Sequence, residues 1–277
     1  MTNTIDILLS TYNGAKYLRE QLDSILKQTY TSWRLIVRDD SSTDDTLKII
    51  KEYINKYPNF IIHIKNTRNI GVVKSFELLL KNSTSKYIMF CDQDDIWLNN
   101  KIEVTLKKMI EEESKNADKA ILIHTDLVVV NERLQTIYNS FWKYSRIKPE
   151  LLTNFDYLSV HNVATGCTIM INEKAKFQTQ PFTERTLMHD SWIALSVVKN
   201  SGIIAFVNTP LMLYRQHGDN VVGAKNRIDS YLKNKFLAID DVIKQNIKQY
   251  KMVRSIKRIS LARYIYFKIK YFLNIRL

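Results

Sequence analysis

At 277 residues the chain can bury a full α/β core, and a content of 45% hydrophobic and 11% aromatic residues with only 6 Gly and 4 Pro excludes a disordered or fibrous chain. Its two cysteines, Cys91 and Cys167, form no CxxC pair and have no histidine at ligand spacing, which excludes a disulfide framework and reads as buried thiols in a reduced compartment. The formal charge of +13 is uneven: no Asp or Glu follows Asp241, whereas ten Lys and Arg do, from Lys244 to Arg276, leaving the body at about +3.

The start, MTNTIDILLSTYNG, has no basic leader before its short apolar run and is not expected to be a signal peptide. No stretch approaches the roughly 18 apolar residues of a spanning helix. The expected location is therefore cytoplasmic, with at most attachment to a membrane surface.

In chain order, 5–10 is an apolar strand running into Thr11-Tyr12-Asn13-Gly14, after which Leu18, Leu22, Ile25 and Leu26 recur at helical spacing. A strand at 33–37 precedes a helix at 44–57, with Ser42 or Thr43 expected as its N-cap. Then follow a strand at 60–64, a helix at 72–80, a strand at 86–90 ending in Cys91-Asp92-Gln93-Asp94-Asp95, and a helix at 99–113. The second half carries strands at 120–130 (with a break at Thr125-Asp126), 164–171, 202–207 and 211–214, a helix at 190–199, and helices from 226 onward. Alternating strands and helices with short connections predict an α/β fold, a sheet covered on both faces and a ligand site beyond the carboxyl ends of the strands. The clusters Asp39-Asp40 and Asp92 to Asp95 fall at two such ends.

Carboxylates as close as Asp92, Asp94 and Asp95 repel one another unless a cation sits between them, and a hard divalent ion such as Mg²⁺ or Mn²⁺ suits such a set. The same residues could instead form a solvated acidic turn capping the next helix. At 39–45 a carboxylate could accept hydrogen bonds from a ribose or a base, or simply cap a helix with its neighbours.

Five ordered segments resolve this choice: Leu8-Leu9-Ser10-Thr11-Tyr12-Asn13-Gly14, Val37-Arg38-Asp39-Asp40-Ser41-Ser42-Thr43-Asp44, Phe90-Cys91-Asp92-Gln93-Asp94-Asp95-Ile96-Trp97, His189-Asp190-Ser191-Trp192, and Tyr214-Arg215-Gln216-His217-Gly218-Asp219-Asn220. Over residues 4–223 they resemble glycosyltransferase family 2, most closely its bacterial rhamnosyltransferase branch. Ser41 departs from the family, which often has Gly there.

The resemblance implies a GT-A fold, a single αβα sandwich with a mostly parallel sheet. Its catalytic part would span 1–224, with a nucleotide-binding half at 1–115 and an acceptor half at 116–224, followed by a basic helical tail at 225–277. Carried over by position, Asp40 would hold the nucleoside with Thr11, Asp92 would approach the ribose, and Asp94 and His217 would hold the metal. Asn69, Gly71 and Lys74 would contact the nucleotide. Trp97 would border the sugar, Gly166 would lie on the acceptor side, and Asp190 would be the general base. Read alone, Asp190 is equally a helix cap, His217 a structural histidine and Trp97 a packing residue.

The activity so implied is inverting, metal-dependent transfer of a sugar, rhamnose from dTDP-rhamnose, to a lipid-linked saccharide acceptor in cell-surface polysaccharide synthesis. A UDP-hexose or UDP-N-acetylhexosamine donor is the alternative. The tail interleaves Lys and Arg with aromatic and aliphatic residues, as an interfacial helix on anionic lipid does. Its projection shows no single clean apolar face, so part of it is expected to pack on the body. Nucleic acid is not an expected partner, because the body has no basic face or reader motif. A nucleotidyltransferase would need a basic phosphate loop, which Ser10 to Gly14 lacks.

Overall fold

The computed structural model describes residues 3–66, 68–162, 164–217 and 239–276. The strands are β1 (Ile5–Thr11), β2 (Trp33–Asp39), β3 (Ile61–His63), β4 (Tyr87–Cys91), β5 (Ile96–Trp97), β6 (Ile121–Val130), β7 (Thr136–Tyr138), β8 (Met170–Asn172) and β9 (Ile203–Arg215). The helices are α1 (Ala15–Leu26), α2 (Thr46–Lys56), α3 (Val72–Asn82), α4 (Lys101–Lys115), α5 (Phe141–Tyr144), α6 (Phe155–Val160), α7 (Glu173–Thr179), α8 (His189–Lys199), α9 (Ile239–Ile256) and α10 (Leu261–Arg276). All strands join one sheet in the order β3-β2-β1-β4-β8-β6-β9-β5, with β7 against β6.

The chain reverses at β8, which is antiparallel to both β4 and β6, while β9 is parallel to β6. Six strands thus share a direction, and β5, β7 and β8 oppose them. Side chains alternate across the sheet, as strand geometry requires. Leu8, Ile36, Ile88 and Phe90 face one core with α3, α6 and α8; Ile7, Leu9, Leu35 and Val37 face the other with α1, α2 and α4.

Several local expectations change. The segment expected as a strand at 164–171 is a 3-10 turn at Gly166–Thr168 followed by short β8. The two expected strands at 202–207 and 211–214 are one strand, β9. The break expected at Thr125-Asp126 is a register shift against β9, and Asp126 uses it to accept from Leu127 N, Trp142 N and Ser140 Oγ. Helix α2 starts after Asp45, because Ser42 Oγ is already taken by Asn13 N and Asp39.

The basic tail shares the first core: Met252, Val253, Ile256, Ile259, Tyr264 and Tyr271 are buried there. Arg263 clamps α10 to α6 with two hydrogen bonds to the Asp156 carboxylate, 2.8 and 2.7 Å. No helix among the described residues is long and apolar enough to cross a membrane. The motif residues Gly218, Asp219 and Asn220, and the helix expected from 226 up to Ile239, lie outside the described residues.

Candidate active site

Parallel pairing sets the carboxyl ends of β2, β1 and β4 side by side, with Thr11 opposite Asp39 and Leu9 opposite Cys91. The chain leaving β4 carries the acidic loop. Gln93 ties that loop to β1: its Nε2 donates to Tyr12 O and its Oε1 accepts from Tyr12 N. Any Cβ at residue 14 would meet Gln93 Oε1 at 2.2 Å, so only Gly14 lets this clasp close.

Within the loop, Asp94 and His217 form one pair, Nε2 to Oδ2 at 2.7 Å, with the imidazole against the Tyr17 ring at 4.9 Å. Asp92, Asp95 and the Cys167 thiol form another group, their ligand atoms within 4.8 Å of one another. Burial, then the charges of Asp94 and Asp190, lifts the Asp92 carboxyl to about 7, although Asp92 keeps part of its surface at the mouth of the site. Fully buried Asp95 is raised well above the usual carboxylate range by burial and by Asp94 and Asp92. Its Oδ1 accepts from Arg215 N, and its Oδ2 has no donor among the described residues besides the Cys167 thiol beside it.

Which group fits a cation follows from its atoms. The Asp94 carboxylate with the His217 imidazole, beside Asp92, suits a divalent ion such as Mg²⁺ or Mn²⁺. The Asp92, Asp95 and Cys167 group suits one poorly. A buried thiol is a soft ligand, and the Lys101 ammonium is already there, donating to Cys167 O at 2.6 Å and lying 4.1 Å from the Trp97 ring centroid. Burial lowers Lys101 to about 8, with the two cysteines and Asp95 and Asp92 opposing that shift. Lys101 is thus the resident cation of the inner cluster.

Asp40 lies across β1 and is almost wholly buried. Its carboxylate accepts from Arg38 Nη1 (2.6 Å), Ile70 N (2.8 Å) and Gly71 N (2.8 Å), while its carbonyl accepts from Asn69 Nδ2 (2.9 Å). Gly71 has φ 81°, a backbone conformation open to glycine. Asp40, Asn69 and Gly71 therefore brace one loop, and Lys74 stands exposed one turn into α3, lining a groove of about 370 Å³ with Phe182 and Thr186. Thr11 is buried with its hydroxyl on Asp39 (3.0 Å). Ser41 adopts φ 67°, the left-handed region that glycine enters most readily. Because the Arg38–Asp40 pair is buried, Arg38→Met should cost about 3–5 kcal/mol by leaving Asp40 uncompensated; denaturant unfolding monitored by circular dichroism measures it.

Asp190 occupies the first turn of α8. It accepts from Ser191 N, Ser191 Oγ (3.2 Å) and Gly166 N (3.1 Å). The helix N-terminus alone would favour the ionised form, but burial outweighs these donors and lifts the carboxyl to about 6. Gly166, which donates to this carboxyl, precedes Cys167, whose thiol lies within 4.8 Å of the Asp92 and Asp95 ligand atoms, so the α8 end and the acidic loop meet at one site. Behind it, His189 is stacked on Phe76 and Phe90 and held neutral, burial taking it down to about 3. A Cβ on Gly166 would sit 2.6 Å from His189 Nε2. Gly166 is thus buried against His189 and Asp190. Gly166→Ala should displace His189, costing about 1–3 kcal/mol of stability and lowering sugar transfer; thermal unfolding and a transfer assay measure the two.

The structure brings together Asp92, Asp94, Gly166, Asp190 and His217, and sets Asp40, Asn69 and Gly71 across β1. It does not place Trp97 at a ligand surface. Trp97, in β5, is 1% exposed, pairs with Met212 of β9 and packs under Lys101, so the expectation that it borders the sugar is corrected to a packing role. Sequence reasoning missed Gln93, Arg38, Lys101 and Arg215. Arg215 is buried, donating to Asp94 O (2.9 Å), Glu132 O (2.7 Å) and Glu20, and so fixes the loop on which His217 stands. Charged residues within apolar runs, Arg38 in strand β2 and Arg215 at the end of β9, were the available signal.

Known proteins resemble this chain in sequence and in fold. Residues 6–176 match the model of the family described as glycosyl transferase family 2. The dTDP-rhamnosyl transferase RfbG of Shigella flexneri is 31% identical over 228 residues, 78% of this chain and 74% of that protein. The UDP-Glc:alpha-D-GlcNAc-diphosphoundecaprenol beta-1,3-glucosyltransferase WfgD of Escherichia coli is 25% identical over 203 residues, 73% of this chain and 72% of its own. Among solved structures, TarS 1-349 of S. aureus in complex with UDP superposes with a TM-score of 0.61 at 18% identity, covering 98% of this chain and 90% of that one. With the family model covering more than half of the sequence, and carboxylates, imidazole and helix end converging at the carboxyl edge of a GT-A sheet, the chain belongs to glycosyl transferase family 2 and is a glycosyltransferase.

Proposed function

We propose that the protein transfers rhamnose from dTDP-rhamnose to a lipid-linked saccharide in cell-surface polysaccharide synthesis, with inversion at the anomeric carbon and with a divalent cation. One observation carries the mechanism. Asp190 accepts from Gly166 N at 3.1 Å, and the next residue, Cys167, has its thiol within 4.8 Å of the Asp92 and Asp95 carboxylates, so a base and a diphosphate site would face one reacting centre. The RfbG similarity supports the rhamnose donor, and the WfgD similarity supports a lipid-linked acceptor.

In this mechanism Asp94 and His217 hold the cation, which when bound neutralises charge developing on the leaving phosphate oxygen. The loop braced by Asp40, Asn69 and Gly71, with Thr11 and Lys74 beside it, borders the nucleotide, and Asp92 approaches the ribose. Asp190 takes the proton from the attacking acceptor hydroxyl as the new bond forms. A single base opposite the leaving group gives one displacement and hence inversion.

The WfgD similarity also favours a second donor reading, UDP-glucose. Release of nucleoside diphosphate from a panel of dTDP- and UDP-sugars, with Mn²⁺ or Mg²⁺, separates the two. Turnover of dTDP-rhamnose alone is expected. Turnover of UDP-glucose alone would replace it with the second reading, and turnover of neither would remove both. The enzyme works at the inner face of the cytoplasmic membrane, attached peripherally through its basic tail.

A further inference from the structure

Helix α10 carries two apolar faces, one inward and one outward. Tyr264, Phe267 and Tyr271 turn inward: Phe267 meets Tyr157 edge-on at 5.3 Å, and Tyr271 lies 4.7 Å from the His161 ring. On the opposite side Leu261, Ile265, Ile269 and Leu273 recur every fourth residue, and with Tyr266 they are 46–57% exposed. At 100° per residue, Lys268 and Lys270 fall at the two seams between these faces. On α9, Val242, Ile243 and Ile247 are also about half exposed, between the exposed Lys244, Lys248 and Lys251.

We propose that the stripe Leu261–Ile265–Tyr266–Ile269–Leu273 lies in the surface of an anionic lipid bilayer and holds the acceptor side of the active site there. The inference rests on the peripheral attachment stated above and specifies the face that makes it. Charge selects lipid over a second copy of this chain. No acidic residue follows Asp241, so stripe-to-stripe pairing would set Lys268 and Lys270 at the seams of one copy against those of the other, whereas an anionic surface attracts them. Shape makes docking relevant to catalysis. Helix α10 is clamped to α6 by Arg263 and Asp156, and the chain leaving α6 reaches Gly166, the donor to Asp190, within a few residues. Attachment of α10 would thus hold the Gly166 side of the site near the bilayer.

The test is co-sedimentation of the full chain with phosphatidylglycerol–phosphatidylcholine vesicles and with pure phosphatidylcholine vesicles. The double variant Ile265→Asp/Ile269→Asp is compared with Phe177→Ser, which alters an exposed aromatic far from the tail in sequence. Wild type and Phe177→Ser should pellet with the anionic vesicles, and the double variant should lose about tenfold or more of that binding. All three should release nucleoside diphosphate in solution at one rate, which reads folding and the glycosyltransferase activity separately from attachment. Equal pelleting of the double variant would overturn the stripe while leaving attachment standing. No pelleting of wild type would remove attachment as well. A wild-type dimer in light scattering that the double variant lacks would assign the stripe to a second copy and overturn the proposal.

Discussion

Asp190→Asn should bind the sugar nucleotide as wild type does and transfer sugar ~10²–10⁴-fold more slowly. The acceptor hydroxyl must lose its proton as it attacks, and the amide cannot take it. The side chain keeps its place on α8 and one acceptor oxygen for Gly166 N or Ser191 N, so the nucleotide side of the site is undisturbed. The pH profile gives a second readout. Because burial lifts the Asp190 carboxyl to about 6, the base form is depleted as pH falls through that value. The wild-type rate should therefore fall about tenfold per pH unit as pH drops below about 6, and the Asp190→Asn profile should lack that limb. Nucleotide binding by calorimetry and transfer rates from pH 5 to about 8 decide the matter. Loss of donor binding in the variant would mean that Asp190 serves the nucleotide and not the acceptor.

The second large effect belongs to Asp94. Chelation with EDTA should stop nucleoside diphosphate release by wild type, and added Mn²⁺ or Mg²⁺ should restore it. Asp94→Ala should stay at the chelated level whatever the metal concentration, a loss of ~10²–10³-fold. His217→Gln should behave differently, raising the metal concentration needed for half-activity while leaving a measurable maximal rate. Lys101 supplies the contrast. It balances Asp92 and Asp95 from the buried side without belonging to the pair that suits a cation. Metal-independent turnover by wild type would overturn this assignment of Asp94 and His217.

Much of the site was legible before any fold was known, because its residues sit where strands and helices begin and end. A buried parallel strand reads as a mainly apolar run, so Ile5–Thr11, Trp33–Asp39 and Tyr87–Cys91 announce themselves, and the polar residues after each must lie at one edge of the sheet. Asp190, just ahead of an apolar helix, is visible in the same way. Short β8 and the turn at Gly166 were not. Three residues of strand beside a 3-10 turn share one apolar stretch, and only pairing with β4 and β6 separates them.

The amino-acid sequence by itself determined the family and set the acidic loop at a strand end and Asp190 at a helix start, since these depend on local runs and on order along the chain. Tertiary structure alone decided which side chains are spent within the protein. Asp40 is taken up by Arg38 and two backbone N–H groups, Trp97 is sealed beneath Lys101, and α10 divides its apolar residues between the core and the outside. The reason is physical. Burial and hydrogen-bond partnership are properties of residues far apart in sequence, such as Arg215 with Glu20 or Arg263 with Asp156, and no local pattern encodes the partner.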